Sequence, residues 1–428
     1  MPEDPNLKQL LVEPASVDEL QVPQGIIVDI MLRLLFNEGS VPLRRFIDVL
    51  KISNRILDSL LLWMQKEYLV EVSRASAELG RLGNVYVLTD AGKNRARDSF
   101  DRCQYVGPVP VSISAYNQAV ELQTRQRTRV TAEQVSNALR HLVLPPDFHR
   151  RIGPAINSGT SLFLYGPSGN GKTTIAQAIA GLISGTDPIW LPYAVCAGGQ
   201  IIQVFDRLIH RPVQEENNRT GHLQRHDRRW CLVERPTVAV GGELNMDALD
   251  LRFDPVARIY EAPLQMKANG GMFLIDDFGR QQVSPTSLLN RWIVPLEGQV
   301  DYLRLNTGQT LVVPFKQLIV FSTNLNPHEL VDDAFLRRIQ MKVEVTSPDE
   351  KLFFQIFSLN CRRLNIPFSK DAFLYLLEKW YKQPGRVMQC VHPRDILNTV
   401  HALCDYEGLP MRLTPELIDE ACKIYFVN

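Results

Sequence analysis

Along residues 24–100 the apolar positions fall at helical spacing three times and then change period. Ile26, Ile27, Ile30, Met31, Leu34 and Leu35 share one face, Leu43, Phe46, Ile47 and Leu50 a second, and Ile56, Leu57, Leu60, Leu61 and Met64 a third, because side chains three and four positions apart stack on one side of a helix. Two short β-patterned runs follow, at 69–72 and 85–88, around a turn expected at Gly80 and Gly83, and 89–96 opens another helix. Residues 101–128 contain Gly107-Pro-Val-Pro110 and a polar, Gln- and Arg-rich end, which predicts a linker that orders only in part. Thr131-Ala-Glu-Gln134 has the form of a capping box and starts a further helix.

From Ser161 the pattern changes again. Short apolar runs, Leu162-Phe-Leu-Tyr165, Met272-Phe-Leu-Ile275 and Leu318-Ile-Val-Phe321, alternate with helical stretches, as expected for a parallel sheet buried between helices. After Val345 the spacing is helical throughout. Ser347-Pro348-Asp-Glu350 reads as an N-cap serine, a proline at the first helical position and a reciprocal glutamate. The expected fold is α/β, a parallel-sheet core at 140–346 with a small helical lid at 347–428, preceded by a helix-and-hairpin unit at 1–100 and a linker and connecting helix at 101–139. A chain of 428 residues is long enough for two or three separate hydrophobic cores.

Composition excludes more than it selects. Equal numbers of basic and acidic residues leave no chain-wide field to draw the protein to nucleic acid or anionic lipid. The longest apolar run, Leu60 to Met64, falls far short of the roughly 20 residues of a membrane-spanning helix. The first residues are acidic and contain prolines, unlike a secretory signal. Seven scattered cysteines, never spaced as Cys-x-x-Cys, suit a reducing compartment, so a cytoplasmic location is expected.

Candidate chemistry gathers at two strand ends. Gly166, Pro167, Ser168, Gly169, Asn170, Gly171, Lys172 and Thr173 form a glycine-rich loop between the strand at 162–165 and a helical run that opens with Thr174. In that setting backbone N–H groups and the helix N-terminus face anionic oxygens. The Lys172 ammonium would neutralise β- and γ-phosphates, and the Thr173 hydroxyl would ligate Mg²⁺. The apolar run at 272–275 ends in Asp276 and Asp277, one carboxylate placed for the Mg²⁺ shell and the other to orient water.

The order of phosphate loop, acidic strand end, Asn324 at the end of the run from Leu318, the pair Arg337 and Arg338, and Arg394 in His392-Pro-Arg-Asp395 resembles the AAA+ ATPases over about residues 140–428. The resemblance implies ATP and Mg²⁺ as cofactors, Asn324 as sensor 1, the Arg337/Arg338 region as an arginine finger with Arg338 preferred, and Arg394 as sensor 2. It also implies a ring-forming homo-oligomer, with a hexamer expected, that acts on a partner. A protein client is the first choice, ahead of a nucleic-acid motor, a transcription regulator, or an ATP-operated scaffold with little turnover. Family members more often carry Glu where this chain has Asp277. A hairpin expected at 299–313, before Asn324, resembles that of the MoxR-like, NtrC-like and RuvB-like branch.

Two segments stand apart. About a hundred residues separate Lys172 from Asp276, which predicts an insertion near 200–245, and its basic stretch (Arg219, His222, Arg225, His226, Arg228, Arg229) reads first as a solvated loop, ahead of a metal or nucleic-acid site. Lys267 and Asn269 are candidates to contact a neighbouring subunit or a central pore, or to cap a helix. Residues 24–100 resemble a winged helix-turn-helix domain, a fold that leaves DNA open as a partner. Yet residues 1–100 carry 12 Lys/Arg against 14 Asp/Glu, and the outward face of the third helix holds Arg55, Asp58, Ser59, Leu62 and Lys66 with Trp63 at its flank. That surface suits an apolar protein contact better than a phosphate backbone.

Overall fold

The computed structural model describes residues 4–76, 80–125, 129–146, 148–213, 226–330 and 332–426. Helices Gln24–Glu38, Leu43–Leu50 and Asn54–Lys66 turn the three apolar faces into one core, with Ile30, Met31, Leu35, Phe46, Leu57 and Leu61 fully buried. The two β runs extend further than the pattern indicated, to Val70–Ser76 and Gly80–Leu88, so Gly80 belongs to a strand, while 77–79 lie outside the described residues. A third strand, Ser40–Pro42, pairs antiparallel with Gly80–Leu88. Three residues are too few for periodicity to register.

Five parallel strands build the central sheet in the order Thr237–Val240, Met272–Ile275, Leu318–Thr323, Ser161–Tyr165, Met341–Glu344. Alternation decides which residues serve which face. Leu162, Leu164, Leu274, Val320 and Val343 pack against Ile175, Ile179 and Ile183 of the helix Lys172–Ser184. Phe163, Phe273, Ile275 and Phe321 pack on the other side with Phe278 and Trp292. Each such buried side chain contributes roughly 1.5–3 kcal/mol, which is why the runs at 162–165, 272–275 and 318–321 are apolar at every position. With the helices that follow, this is the α/β architecture, a parallel-sheet core and a helical C-terminal region, expected from the sequence. The capping box is present at Thr131, ahead of Ala132–Leu139.

The stretch between the phosphate loop and the acidic strand folds as an additional β layer. A second sheet runs Arg252–Asp254, Ile259–Glu261, Gln200–Gln203, Ala194–Ala197, Val111–Ser112, beside a ribbon of Ile189–Pro192 and Trp230–Val233. The strand Val111–Ser112 and the following helix Ile113–Arg125 come from the segment read as a partly ordered linker, and Tyr116 of that helix is fully buried, its hydroxyl donating to the Met266 carbonyl at 3.2 Å. Of the basic stretch, Arg219, His222 and Arg225 lie outside the described residues. Arg229 corrects the expectation of a solvated loop: it is buried, pairs with the buried Asp227 carboxylate at 2.7 Å, and donates to the carbonyls of Leu20 and Pro110. One guanidinium thus joins the N-terminal unit to the β layer, because only a planar fork with several donors can serve a carboxylate and two carbonyls together.

Lys267 and Asn269 are likewise interior. Lys267 pairs with Asp206 at 2.9 Å, and Asn269 donates to the Pro314 carbonyl and the Tyr116 hydroxyl oxygen. Both are committed within the chain, so neither is exposed to a neighbour or a pore. The expected hairpin is formed by Val300–Arg304 and Thr310–Pro314.

The lid comprises the helices Glu350–Arg363, Lys370–Leu376, His392–Glu407 and Pro415–Tyr425 around a core that includes Phe357, Leu376, Ile396 and Ile418. Its first cap differs from the reading above. Asp349, rather than Ser347, accepts from the Leu352 N–H at 2.7 Å, a position where its carboxylate also meets the positive end of the helix dipole. The Ser347 hydroxyl is engaged elsewhere, by Asn170. Among the described residues no helix is long and apolar enough to cross a membrane.

Arg229→Ala strands the Asp227 carboxylate in the interior. The expected loss is about 3–5 kcal/mol of unfolding free energy in a urea titration; a loss below about 1 kcal/mol would show a solvent-screened pair instead.

Candidate nucleotide site

The loop from Gly166 to Lys172 leaves the sheet edge at Tyr165 and enters the helix Lys172–Ser184 through Gly171, which caps the helix with no side chain. The first N–H groups of that helix therefore have no side-chain acceptor and remain for an anion. Gly166 has φ +135°, and a Cβ there would lie 2.3 Å from the Val345 carbonyl oxygen. Only glycine lets the loop pass so close to the neighbouring strand end.

Three groups converge at the loop mouth. The Thr173 hydroxyl donates to Asp276 Oδ2 at 2.8 Å, and the Asp277 N–H donates to Asp276 Oδ1 at 3.1 Å. Asp277 sits in the left-handed region at φ +49°, so the chain reverses sharply after the strand and the second carboxylate lines the cavity beside the loop. This turn is held from below: the Phe278 N–H donates to the Ser322 carbonyl at 2.7 Å, and the Thr323 hydroxyl donates to the Phe278 carbonyl at 2.7 Å. The acidic and Asn-tipped strand ends are thereby locked in register.

The Lys172 ammonium donates to the carbonyls of Gly166 and Pro167 at 2.8 and 3.0 Å. Burial pulls its pKa below the usual lysine value, opposed by the charges of Asp277 and Asp276. A phosphate near this ammonium would favour the charged form that burial opposes.

A cavity of about 380 Å³ extends from the loop to the lid. Of the residues named from sequence, Ser168, Gly169, Asn170, Gly171, Lys172, Thr173, Thr174, Asp277, Asn324 and Arg394 line it. Asp276 reaches it through Thr173, and Gly166 and Pro167 lie beneath Lys172. Arg394 carries a hydrogen bond to Asp395 at 2.8 Å. Arg337 and Arg338 do not line this cavity. Arg338 pairs with Glu297 at 2.6 Å, and Arg337 lines a separate cavity of about 370 Å³ with Tyr165, His328 and Lys342.

Sequence reading missed the apolar end of the cavity. Leu142, Val143 and Leu144 form one wall, and Ile356, Leu359 and Arg363 on the first lid helix form another. Arg363 donates to the His141 carbonyl at 2.7 Å and so fastens the two walls together. The positions 356, 359 and 363 have helical spacing, but spacing alone does not say what a face will meet.

The residues fit a nucleotide with Mg²⁺. A hydroxyl and a carboxylate already in contact at Thr173 and Asp276 are hard oxygen donors, and Mg²⁺ takes one or two protein ligands with the rest from phosphate and water. Among the described residues no group of three or more His, Cys, Asp or Glu is placed to hold a metal by itself.

The model of a domain of unknown function (DUF8689) matches residues 349–424, within the lid. No curated protein sequence matches the chain. Among solved structures the chain is similar to NtrX of Brucella abortus, at 13% identity over 76% of this chain and 60% of that one, with a TM-score of 0.37. It therefore spans about three fifths of NtrX. It is similar to the RuvB Holliday junction branch migration motor of Thermotoga maritima at 12% identity over 70% and 71% of the two chains, TM-score 0.37. Domain III of the Thermotoga maritima replication initiation protein DnaA matches at 12% identity over 68% and 98%, TM-score 0.38. The chain's own strand order, glycine-rich loop and acidic strand end define the site described here.

Proposed function

We propose that this chain is a Mg²⁺-dependent ATPase that assembles into a ring, with six subunits the expected number, and remodels a protein partner. The supporting observation is the contact of Thr173 with Asp276 at the mouth of a glycine loop, in a cavity that also receives Arg394 from the lid. Bound Mg²⁺, held by Thr173 and Asp276, supplies positive charge to the phosphate oxygens. Lys172 and the loop N–H groups hold the β- and γ-phosphates, Asn324 and Asp277 orient the attacking water, and Arg394 senses the γ-phosphate from the lid. In this reading residues 140–346 are the nucleotide-binding core, 347–428 the lid, 101–139 the connection and 1–100 a winged-helix recruiting domain.

Arg338 and Arg337 serve the next subunit. Support comes from their absence from their own subunit's cavity, since an arginine finger acts on charge that develops at the γ-phosphate and can come from a neighbour. A second reading, an ATP-operated assembly switch with little turnover, is favoured by Asp277, one methylene shorter than the usual Glu and tied by its N–H to Asp276. For the N-terminal domain, Leu62 and Trp63 are 46% and 40% exposed on the third helix, an apolar surface suited to a protein.

Lys172→Ala and Thr173→Ala are expected to lose ATP affinity, whereas Asp277→Asn keeps affinity and loses phosphate release, because the first two hold the ground state and the third acts on water. Equal loss of affinity in all three would show the roles misassigned, and wild-type turnover no higher than that of Lys172→Ala, with ATP bound, would select the switch.

Specific activity should rise with protein concentration. Arg338→Ala, or Arg337→Ala if the finger is its neighbour, should lower turnover by up to about 10³–10⁵-fold while ATP binding persists. Constant turnover by a stable monomer would rule out the ring. In a mobility-shift titration the full chain should bind random duplex DNA only weakly. Micromolar affinity that falls steeply with salt and falls again in Arg55→Ala or Lys66→Ala would make DNA the partner.

A further inference from the structure

Asn170 stands between two glycines of the phosphate loop, yet its side chain spends its hydrogen bonds mainly on the lid. It is 3% exposed. Its Oδ1 accepts from the Cys390 N–H at 3.1 Å, and its Nδ2 donates to Ser347 Oγ at 3.2 Å and to the Pro167 carbonyl at 3.4 Å. The Cys390 N–H can only donate, so the orientation of the amide is set by its partners.

Those partners mark two of the places where the lid meets the core, apart from the Arg363–His141 contact. Ser347 lies between the strand Met341–Glu344 and the helix Glu350–Arg363, and Cys390 precedes the helix His392–Glu407 that carries Arg394. Gly169 reinforces the second place: its carbonyl accepts from the Val391 N–H at 2.9 Å, and a Cβ at 169 would lie 2.6 Å from Gln389 Oε1. Two adjacent loop residues therefore hold two chain segments that lead into lid helices. A carboxamide suits this position because it offers an acceptor on one side and two donors on the other.

The same loop is tied by Lys172, whose ammonium donates to the Pro167 carbonyl that Asn170 also contacts. A phosphate that draws the ammonium away leaves this carbonyl to Asn170 alone, which changes the balance between its bonds to Pro167 and Ser347. We infer that Asn170 is a positioning residue that transmits occupancy of the phosphate loop to the lid and so to the placement of Arg394. This rests on the loop being the phosphate site proposed above.

The test combines ATP affinity, measured by calorimetry with Mg-ATP, and amide hydrogen exchange across 392–407 with and without Mg-ATP, on the full chain. In the wild type ATP should slow exchange in this helix. Asn170→Ala should bind ATP with affinity reduced by no more than about fivefold, the scale of one neutral hydrogen bond, while losing most of the ATP-dependent change. Ser347→Ala cuts the lid side of the same contact without altering the loop, and should lose a smaller part of it. If Asn170→Ala loses affinity as severely as Lys172→Ala, or fails to fold while Ser347→Ala responds fully, the residue only shapes the loop. If Asn170→Ala keeps the full response, or the wild-type lid ignores bound ATP, the transmission is overturned while the phosphate site stands. Absence of ATP binding by the wild type would instead refute the site itself.

Discussion

The backbone of Gly166 runs so close to the strand end at Val345 that no side chain fits between them. This close approach holds the phosphate loop against the edge of the sheet, and the other site groups are arranged around it. Lys172 folds back onto carbonyls at the start of the loop, Thr173 meets the acidic end of the next strand but one, and Asn170 joins the lid. A looser loop would leave each of these contacts intact in kind but displaced, and binding of phosphate depends on donors fixed in place before the ligand arrives.

Around this centre the chain builds a second β layer. The second sheet takes strands from before and after the phosphate loop, so the segment preceding the core is committed to the same layer that the insertion builds. The buried Asp227–Arg229 pair then fastens the N-terminal unit to that layer through the carbonyls of Leu20 and Pro110. Burying this charge pair is costly unless every donor is used, and the fork of Arg229 finds partners on three separate segments.

Much of this was legible in the amino-acid order, for identifiable reasons. Apolar runs at 162–165, 272–275 and 318–321 read as strands buried on both faces because they are short and alternate with helical stretches, and the three amphipathic faces between Ile26 and Met64 read as helices because burial of apolar surface acts on local periodicity. The conformation of the glycine-rich loop was readable because glycine spacing reports positive-φ backbone directly. Asp276, Asp277 and Asn324 were readable because they end such strands.

What the tertiary structure alone decided are the partners of polar groups. Arg229 and Lys267 look like surface cations in sequence, and only the fold shows that each is buried against carboxylates. Ser347 has the spacing of a helix cap, but Asp349 takes the cap and Ser347 turns to Asn170, more than a hundred residues earlier in the chain. The apolar wall of the cavity, from Leu142 and Ile356, forms only when two distant segments close over the loop. Periodicity along a chain records which side of an element is apolar; it carries no information about which distant side will meet it. That is settled by packing and hydrogen bonding between segments far apart in sequence.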